Sequence, residues 1–321
     1  MNYAPVIIPT LNRFEHLVNC IESLKGNTYA KYTDLYVSLD CPPSEKYRDG
    51  YEKIKGYLEN GIDGFANVYI YYQETNLGAM GNSAFLRSKV MDKYESYIFT
   101  EDDNIFAPAF LEYMDKGLEL FKDDDEIMAV YATGPSVEGE KPKDDNVYLI
   151  KYFSAYGVGT WTKKRRELER VVNRDYIEDI CCSKSKLKKL KYENAVTICA
   201  LASTLLRKER VYRNADGTVP LIDMVQMIYA VCEDKYMVCS KEHMIKNMGY
   251  DGSGVNCDDV KEYAFSKLKL RTETEFDYKY ETYPQYRRLR VDRRFSARLH
   301  VVLSLIKIAI WRFLANRKLG A

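Results

Sequence analysis

Over the first 134 residues, short apolar runs alternate with longer stretches of helical periodicity. Val6–Ile8, Leu35–Leu39, Val68–Tyr72, Tyr97–Phe99 and Ile127–Tyr131 have the length and composition of buried strands. Between them, Leu17, Cys20, Ile21 and Leu24 recur at the spacing of one helix face, and Tyr47, Tyr51, Ile54 and Leu58 repeat it. Phe85, Lys89 and Met91 fall in a third helix opened by Gly78. Pro108 is placed to open a fourth as its first residue, with Phe110, Met114, Leu118 and Phe121 on one face. This alternation predicts an α/β fold: a mostly parallel sheet with helices on both faces.

Beyond residue 134 the pattern loosens. Residues 136–146 read as a polar loop, 163–193 as Lys/Glu-rich helix, and 219–265 as mixed, with a Gly-rich stretch at Gly249–Gly254. No internal repeat or long linker divides the chain. Residues 1–270 read as one unit whose second half packs on its first, and 271–321 as a tail.

Composition narrows the class. Of 321 residues, 46% are apolar and 30% charged, which excludes a disordered, collagen-like or multi-span chain. The eight cysteines are scattered with no CxxC pair, so neither a disulfide framework nor a zinc site is expected. The chain opens directly into an apolar strand, without a basic segment and cleavable apolar stretch. With reduced thiols, that predicts the cytosolic side.

The net charge of +1 conceals an asymmetry. Residues 287–318 hold ten Lys/Arg and one acid, +9, leaving 38 basic and 46 acidic residues elsewhere, −8. Arg287, Arg288, Arg290, Arg293, Arg294 and Arg298 lead into the apolar stretch Leu299–Leu314. Residues 301–315 would reach about 22 Å as helix, short of the roughly 30 Å bilayer core. The tail therefore reads as an amphipathic helix lying on an anionic membrane, with Leu299, Val302, Ile306, Ile310 and Phe313 below the headgroups. A terminal helix packed on the body is the alternative. Nucleic acid is disfavoured, because no aromatic and basic interleaving accompanies the charge.

The candidate chemistry sits at strand ends, where open α/β sheets bind ligands. Glu101-Asp102-Asp103 follows the strand at Tyr97–Phe99. Three adjacent acids repel unless a cation or donors compensate them, and carboxylate oxygens suit Mg2+ or Mn2+. Asp123-Asp124-Asp125 precedes a strand instead and reads as a solvated loop. Pro9-Thr10-Leu11-Asn12-Arg13 follows the first strand, with Arg13 suited to a phosphate and Thr10 or Asn12 suited equally to a helix cap. Asp40 ends the second strand, as a base or ribose acceptor or another cap. Asn76-Leu77-Gly78 with Asn82 is a Gly turn that admits close ligand approach. Asp223 is either a catalytic base or an ordinary acid opening a helix. Trp161 is either a sugar-stacking or a core residue. His16, His243 and His300 form no cluster.

Taken together these residues resemble a GT-A fold glycosyltransferase of the family 2 kind. Val6–Leu24 (VIIPTLNRFEHLVNCIESL) is similar to the opening strand and nucleotide-binding turn of that group. Tyr97–Tyr113 (YIFTEDDNIFAPAFLEY) is similar to the metal-motif region of α-mannoside β-1,2-N-acetylglucosaminyltransferase. The resemblance covers roughly 1–260, densely over 1–134. It implies a nucleotide-sugar-binding half (1–134) and an acceptor half (135–270). Arg13 would meet the nucleotide phosphates, Asp40 the uracil, Glu101 and Asp102 the ribose and sugar, and Asp103 a Mn2+ or Mg2+ ion. Pro9, Thr10, Asn12, Asn76, Gly78 and Asn82 complete the donor site. Phe153–Trp161 (FSAYGVGTW) resembles a segment shaping the sugar and acceptor pocket, and Asp223 falls where relatives carry the base. Asn247–Cys257 (NMGYDGSGVNC) resembles a later active-site loop, in which Asn256 stands where some relatives have histidine.

The expectation is a metal-dependent, inverting hexosyltransferase that moves sugar from a UDP-sugar to a glycan or lipid-linked acceptor in cell-surface polysaccharide synthesis, on the cytoplasmic membrane face. A non-catalytic membrane-associated sugar-binding protein and a sugar-phosphate nucleotidyltransferase are the alternatives. The latter needs a Gly-rich, Arg-containing signature at the first strand, which PTLNR lacks.

Overall fold

The computed structural model describes residues 2–134, 137–138, 145–206, 221–253, 268–279, 288–291 and 295–319. The first half runs β1 (Val6–Thr10), α1 (Phe14–Lys25), β2 (Asp34–Leu39), α2 (Arg48–Glu59), β3 (Asn67–Tyr72), α3 (Gly78–Val90), β4 (Ser96–Phe99), β5 (Asn104–Phe106), α4 (Phe110–Leu120) and β6 (Ile127–Tyr131). The second half adds β7 (Val137–Glu138), β8 (Val147–Ile150), β9 (Val158–Trp161), α5 (Thr162–Val171), α6 (Arg174–Cys182), α7 (Lys184–Glu193) and α8 (Val196–Leu206). It closes with α9 (Asp223–Cys232), β10 (Tyr236–Ser240), β11 (Ile245–Asn247), β12 (Arg288–Val291) and α10 (Phe295–Leu319).

Among the described residues the main sheet has the order β3-β2-β1-β4-β9-β6-β10-β8-β12-β7. The strands expected from their apolar runs lie in its parallel part: β1 pairs β2 and β4 in parallel, β2 pairs β3 likewise, and β10 runs parallel to β6. β9 is inserted antiparallel between β4 and β6. β5 and β11 form a separate antiparallel ribbon, which the periodicity of the chain does not signal.

Alternation along β1 explains why the sheet is covered on both faces. Val6 and Ile8 turn to the core built with Leu17, Ile21 and Leu24 of α1. Ile7 turns the other way, onto Tyr36, Tyr97 and the α3 residues Leu86 and Val90. Burying each such Leu or Ile stabilises the fold by roughly 1.5–3 kcal/mol. Phe110, Met114, Leu118 and Phe121 are buried as their spacing implies. α4 nevertheless starts at Phe110, because Pro108 is taken up in the preceding turn. Much of the tyrosine is structural: Tyr36, Tyr113, Tyr131 and Tyr148 are fully buried.

Trp161 resolves as a core residue. It is 6% exposed and its indole N–H donates to the Leu118 carbonyl at 3.0 Å. Asp123–Asp125 is the surface loop expected of it.

α6, α7, α8 and α9 build a second core, and α10 joins it. Val301 (3% exposed) and Ile308 (1%) pack into that core, with Leu305 and Trp311 alongside. β12 lies in the main sheet against β8 and β7. Phe276 is buried in the first core. The tail is therefore attached along one stripe of α10, where the charge pattern suggested a free anchor. Its opposite stripe, Leu299, Val302, Ile306, Ile310 and Phe313, is the apolar face expected and is about half exposed or more. No helix among the described residues is long and apolar enough to cross a membrane. Arg287, Arg293 and Arg294 lie outside the described residues.

Asn82 ties α3 to the sheet. Its amide donates to the Ser38 carbonyl at 2.9 Å and its carbonyl accepts from the Ser38 hydroxyl, with both residues buried. Asn82→Ala strands these groups, so it is expected to lower stability by about 1–3 kcal/mol, read from urea unfolding at unchanged m value.

Candidate functional site

The strand order turns at β1 and β4, the switch point at which connections leave in opposite directions along the sheet. The residues just beyond these two strands meet there. Arg13, immediately before α1, donates from Nη1 to Asp103 at 2.7 Å and from Nη2 to Asp102. Thr10 closes the other side, its hydroxyl donating to Asp102 Oδ2 at 2.7 Å. Neither Thr10 nor Asn12 caps α1, which has no side-chain cap. Burial opposes the Arg13 charge, but Asp102 and Asp103 outweigh it and hold the guanidinium protonated. Arg13, expected to face phosphate, thus faces the acids. Burial pushes the Asp102 carboxyl up, against the pull of Arg13 and Thr10.

A third segment completes this cluster. Asn247 donates to Asp103 Oδ1 at 2.7 Å and to Asn104 Oδ1 at 2.9 Å. The Met248 N–H donates to the Asp103 carbonyl at 2.8 Å. A Cβ on Gly249 would lie 2.0 Å from Asp103 Oδ2 and 2.9 Å from Arg13 Nη1, so only glycine admits this approach. The Gly-rich composition of 249–254 hints at the loop. The contact of Asn247 with an acid 144 positions earlier has no signal in the sequence. Asn256 lies outside the described residues.

Glu101 and Asp223 form the second part of the site. Asp223 is the first residue of α9, and its Oδ2 accepts from the Ala155 N–H at 3.0 Å. Burial raises its carboxyl to about 6 while that N–H resists. Glu101 is raised to about 8, by burial first and then by the charges of Asp103 and Asp223. Asp223 is thereby brought within electrostatic reach of Glu101, although 122 positions separate the two in sequence. Phe153, Ala155 and Val158 line a cavity together with Glu101 and Asp223, as their segment suggested, while Trp161 turns to the core.

The remaining expected residues are shared between rim and support. Asp40 Oδ1 accepts from the Leu77 N–H at 2.9 Å and Oδ2 from the Asn76 amide at 3.2 Å, so Asp40 fastens the turn before Gly78. This occupies the oxygens expected to read a base. Pro9 is within β1, and the Asn12 carbonyl packs on Gly50. Asn82, expected with the donor-binding residues, is the buried support of α3 described above. His16 bonds Asp251, and His243 bonds Thr133, apart from one another as expected.

The donor set suits a hard divalent cation. Glu101, Asp102, Asp103 and Asp223 gather four carboxyl groups, and among the described residues Arg13 is the one cation in their ion pairs. Among the described residues no three acid, His or Cys side chains are arranged to hold an ion by themselves. A single carboxylate such as Asp103 fits Mg2+ or Mn2+ where phosphate oxygens and water fill the other positions.

No protein-family model matches the chain, and no curated protein matches it. Among solved structures it is similar to S. aureus TarS, at 12% identity over 63% of this chain and 39% of that one, with a TM-score of 0.37. The chain thus spans about two fifths of TarS. It is similar also to the mannosyltransferase PcManGT from Pyrobaculum calidifontis in complex with GDP-Man and Mn2+ (13% identity, 72% and 69% covered, TM-score 0.39). A third is the galactosyltransferase LgtC in complex with donor and acceptor sugar analogues (12%, 55% and 64%, TM-score 0.32).

Gly249→Ala is expected to lower stability by about 1–3 kcal/mol, since its Cβ must displace Asp103 or Arg13. Gly56→Ala, on the exposed side of α2 with open space around it, is expected to raise stability by about 0.5–1 kcal/mol. Paired urea titrations check the contrast.

Proposed function

We propose that the chain is a metal-dependent, inverting glycosyltransferase of the GT-A kind that takes a UDP-sugar donor. The observation that carries this reading is the meeting of Asp223 with Glu101, itself beside Asp103, beyond the carboxyl end of β4. A general base requires a carboxylate tuned toward neutral pH, and an acid held near 6 by burial is mostly ionised there yet more basic than a surface aspartate. In this reading Asp223 accepts the proton of the acceptor hydroxyl as it attacks the anomeric carbon from the face opposite the diphosphate. The Ala155 N–H fixes the orientation of its carboxylate. Glu101 and Asp102 border the ribose and sugar, and the loop at Asn247–Gly249 holds Asp103 in place. Asp103 would hold a Mn2+ or Mg2+ ion, whose charge would offset that of the leaving diphosphate.

Calorimetry with UDP and Mn2+ and a donor-transfer assay together test this. Asp223→Asn should bind UDP as wild type does and lose about 10² to 10⁴ in kcat. The wild-type rate should rise with pH through about 6, as Asp223 ionises. Asp103→Ala should lose Mn2+-dependent UDP binding. Unchanged UDP affinity in Asp103→Ala, or near-normal turnover in Asp223→Asn, would remove the corresponding assignment.

The outward stripe of α10 supports a second element of the proposal: peripheral attachment to the anionic cytoplasmic membrane face, next to a glycan or lipid-linked acceptor. Leu299, Ile306 and Phe313 are 65%, 51% and 58% exposed, and Lys307 is exposed beside them. Apolar residues flanked by basic ones are attracted by lipid charge and anchored by insertion. Since the inner stripe belongs to the second core, removal of the whole tail would expose Val301 and Ile308 contacts. Ile306→Ser with Ile310→Ser changes the outer stripe alone. The double variant is expected to remain folded and to stop sedimenting with phosphatidylserine vesicles at low salt, where the full chain sediments. Vesicle binding that survives the double substitution rejects the anchor.

A further inference from the structure

The cavity that holds Glu101 and Asp223 at one end continues down the face of the sheet. It encloses about 480 Å³. Its floor includes Tyr97 and Phe99 of β4, one wall is α3, and the other is α5 with α9. The two ends differ in charge. At the strand ends lie Glu101 and Asp223; deeper in, Arg87 of α3 and Arg165 of α5 both line the cavity, and Asp125, Lys163 and Glu167 lie elsewhere along its lining.

Arg165 is held in place. Its Nε donates to Glu169 at 2.8 Å and its Nη1 to Gln226 at 3.2 Å. The Arg87 side chain is half-buried and makes no hydrogen bond or ion pair among the described residues; its guanidinium is depressed to about 10, by burial first and then by the charge of Arg165, with Tyr97 and Glu169 pulling the other way. Lys164 and Lys235, also along this cavity, already donate to backbone carbonyls at the turn around Asp124 and Asp125. A half-buried arginine paired with no acid among the described residues, beside a second arginine, costs stability unless something anionic joins it. Two planar guanidinium forks suit an oxyanion.

We infer that the interior of this cavity binds an anionic substituent, a carboxylate or phosphate, carried by a sugar whose reacting end lies at Glu101 and Asp223. Tyr97 and Glu101 are four residues apart on and just beyond β4, about 13 Å of extended chain, which the Arg87 side chain shortens. The charged group therefore sits away from the bond that changes, where it contributes recognition rather than chemistry. This inference rests on the glycosyltransferase reading for the direction of the sugar, and on the arginine pair for its charge. The sugar is either the one transferred or the one that accepts.

The test uses the full chain with Mn2+ and measures affinities of UDP, UDP-glucose and UDP-glucuronate by calorimetry, and of glucose, glucuronate and glucose 6-phosphate by saturation-transfer NMR in the presence of UDP. The expected result is a preference of ten-fold or more for an anionic probe over its neutral counterpart, lost in Arg87→Met and partly kept in Arg87→Lys. A preference among the UDP-sugars assigns the charge to the donor. One seen only among the free sugars assigns it to the acceptor. Equal binding of neutral and anionic probes in both arms, or a preference that survives Arg87→Met, overturns the inference. Failure of UDP itself to bind while glucuronate or glucose 6-phosphate still binds through Arg87 sinks the transferase reading and leaves the anion site standing. Circular dichroism and melting of both variants exclude misfolding as the cause of a loss.

Discussion

The pairing of Arg13 with Asp102 and Asp103 is the constraint around which the strand-end site is built. Consecutive acids at the end of a buried strand cannot all be ionised without compensation. Arg13 supplies it because β1 and β4 are neighbours, so the turn after one lies against the turn after the other. Everything else near the triplet accommodates that arrangement. Thr10 takes the free oxygen of Asp102, Asn247 takes that of Asp103, and position 249 has no side chain because Asp103 and Arg13 occupy its space. Glu101 is left outside the pairing, and burial with the neighbouring acids raises it to about 8. At neutral pH Glu101 therefore keeps a proton, which a cation brought to the cluster would displace.

How much of this could be read from the chain follows from how local each signal is. Strands β1, β2, β4 and β6 are legible because they are largely buried and so appear as unbroken apolar runs, while β3, half-buried at the sheet edge, is legible by its Val, Ile and Tyr residues. The triplet is legible because its run precedes it directly. Asp223 is legible only as an acid opening a helix; its nearness to Glu101 depends on how α9 docks. Asn247 and Gly249 act across more than 140 residues and leave only a glycine-rich composition behind. Trp161 and Asn82 show the converse. Indole and amide carry the same polar groups whether they meet a ligand or a backbone carbonyl, and here Leu118 and Ser38 provide the carbonyls.

α10 buries one stripe of its apolar pattern and leaves another exposed. Heptad-like apolar spacing on more than one face gives a helix that is able to bury one stripe and still display another. Val301 and Ile308 are taken up by the second core, whereas Ile306 and Ile310 remain outside. The charge asymmetry that marked the tail says nothing about which stripe goes inward. Packing against α8 decides that, and the sequence of α8 is almost wholly apolar.

The two charge environments of the sheet's α3 face are related by one geometric fact. α3 and the α5–α9 pair stand apart, and the strands beneath them are not covered along the gap. Strand direction then sorts the chemistry: residues beyond the carboxyl ends of β1 and β4 are carboxylates with Arg13, while the flanking helices further down bring two guanidiniums, with Lys163 and Glu167 also on α5. Neither charge could persist in a closed core, where water would be absent and the nearest opposite charge is engaged elsewhere, Arg165 with Glu169 and Arg13 with Asp102. An open, bipolar cavity tolerates both because solvent or a ligand reaches them. The separation of helices that leaves the sheet uncovered is therefore a cost to packing that the acids and the arginines make intelligible only together, as the two ends of one cavity.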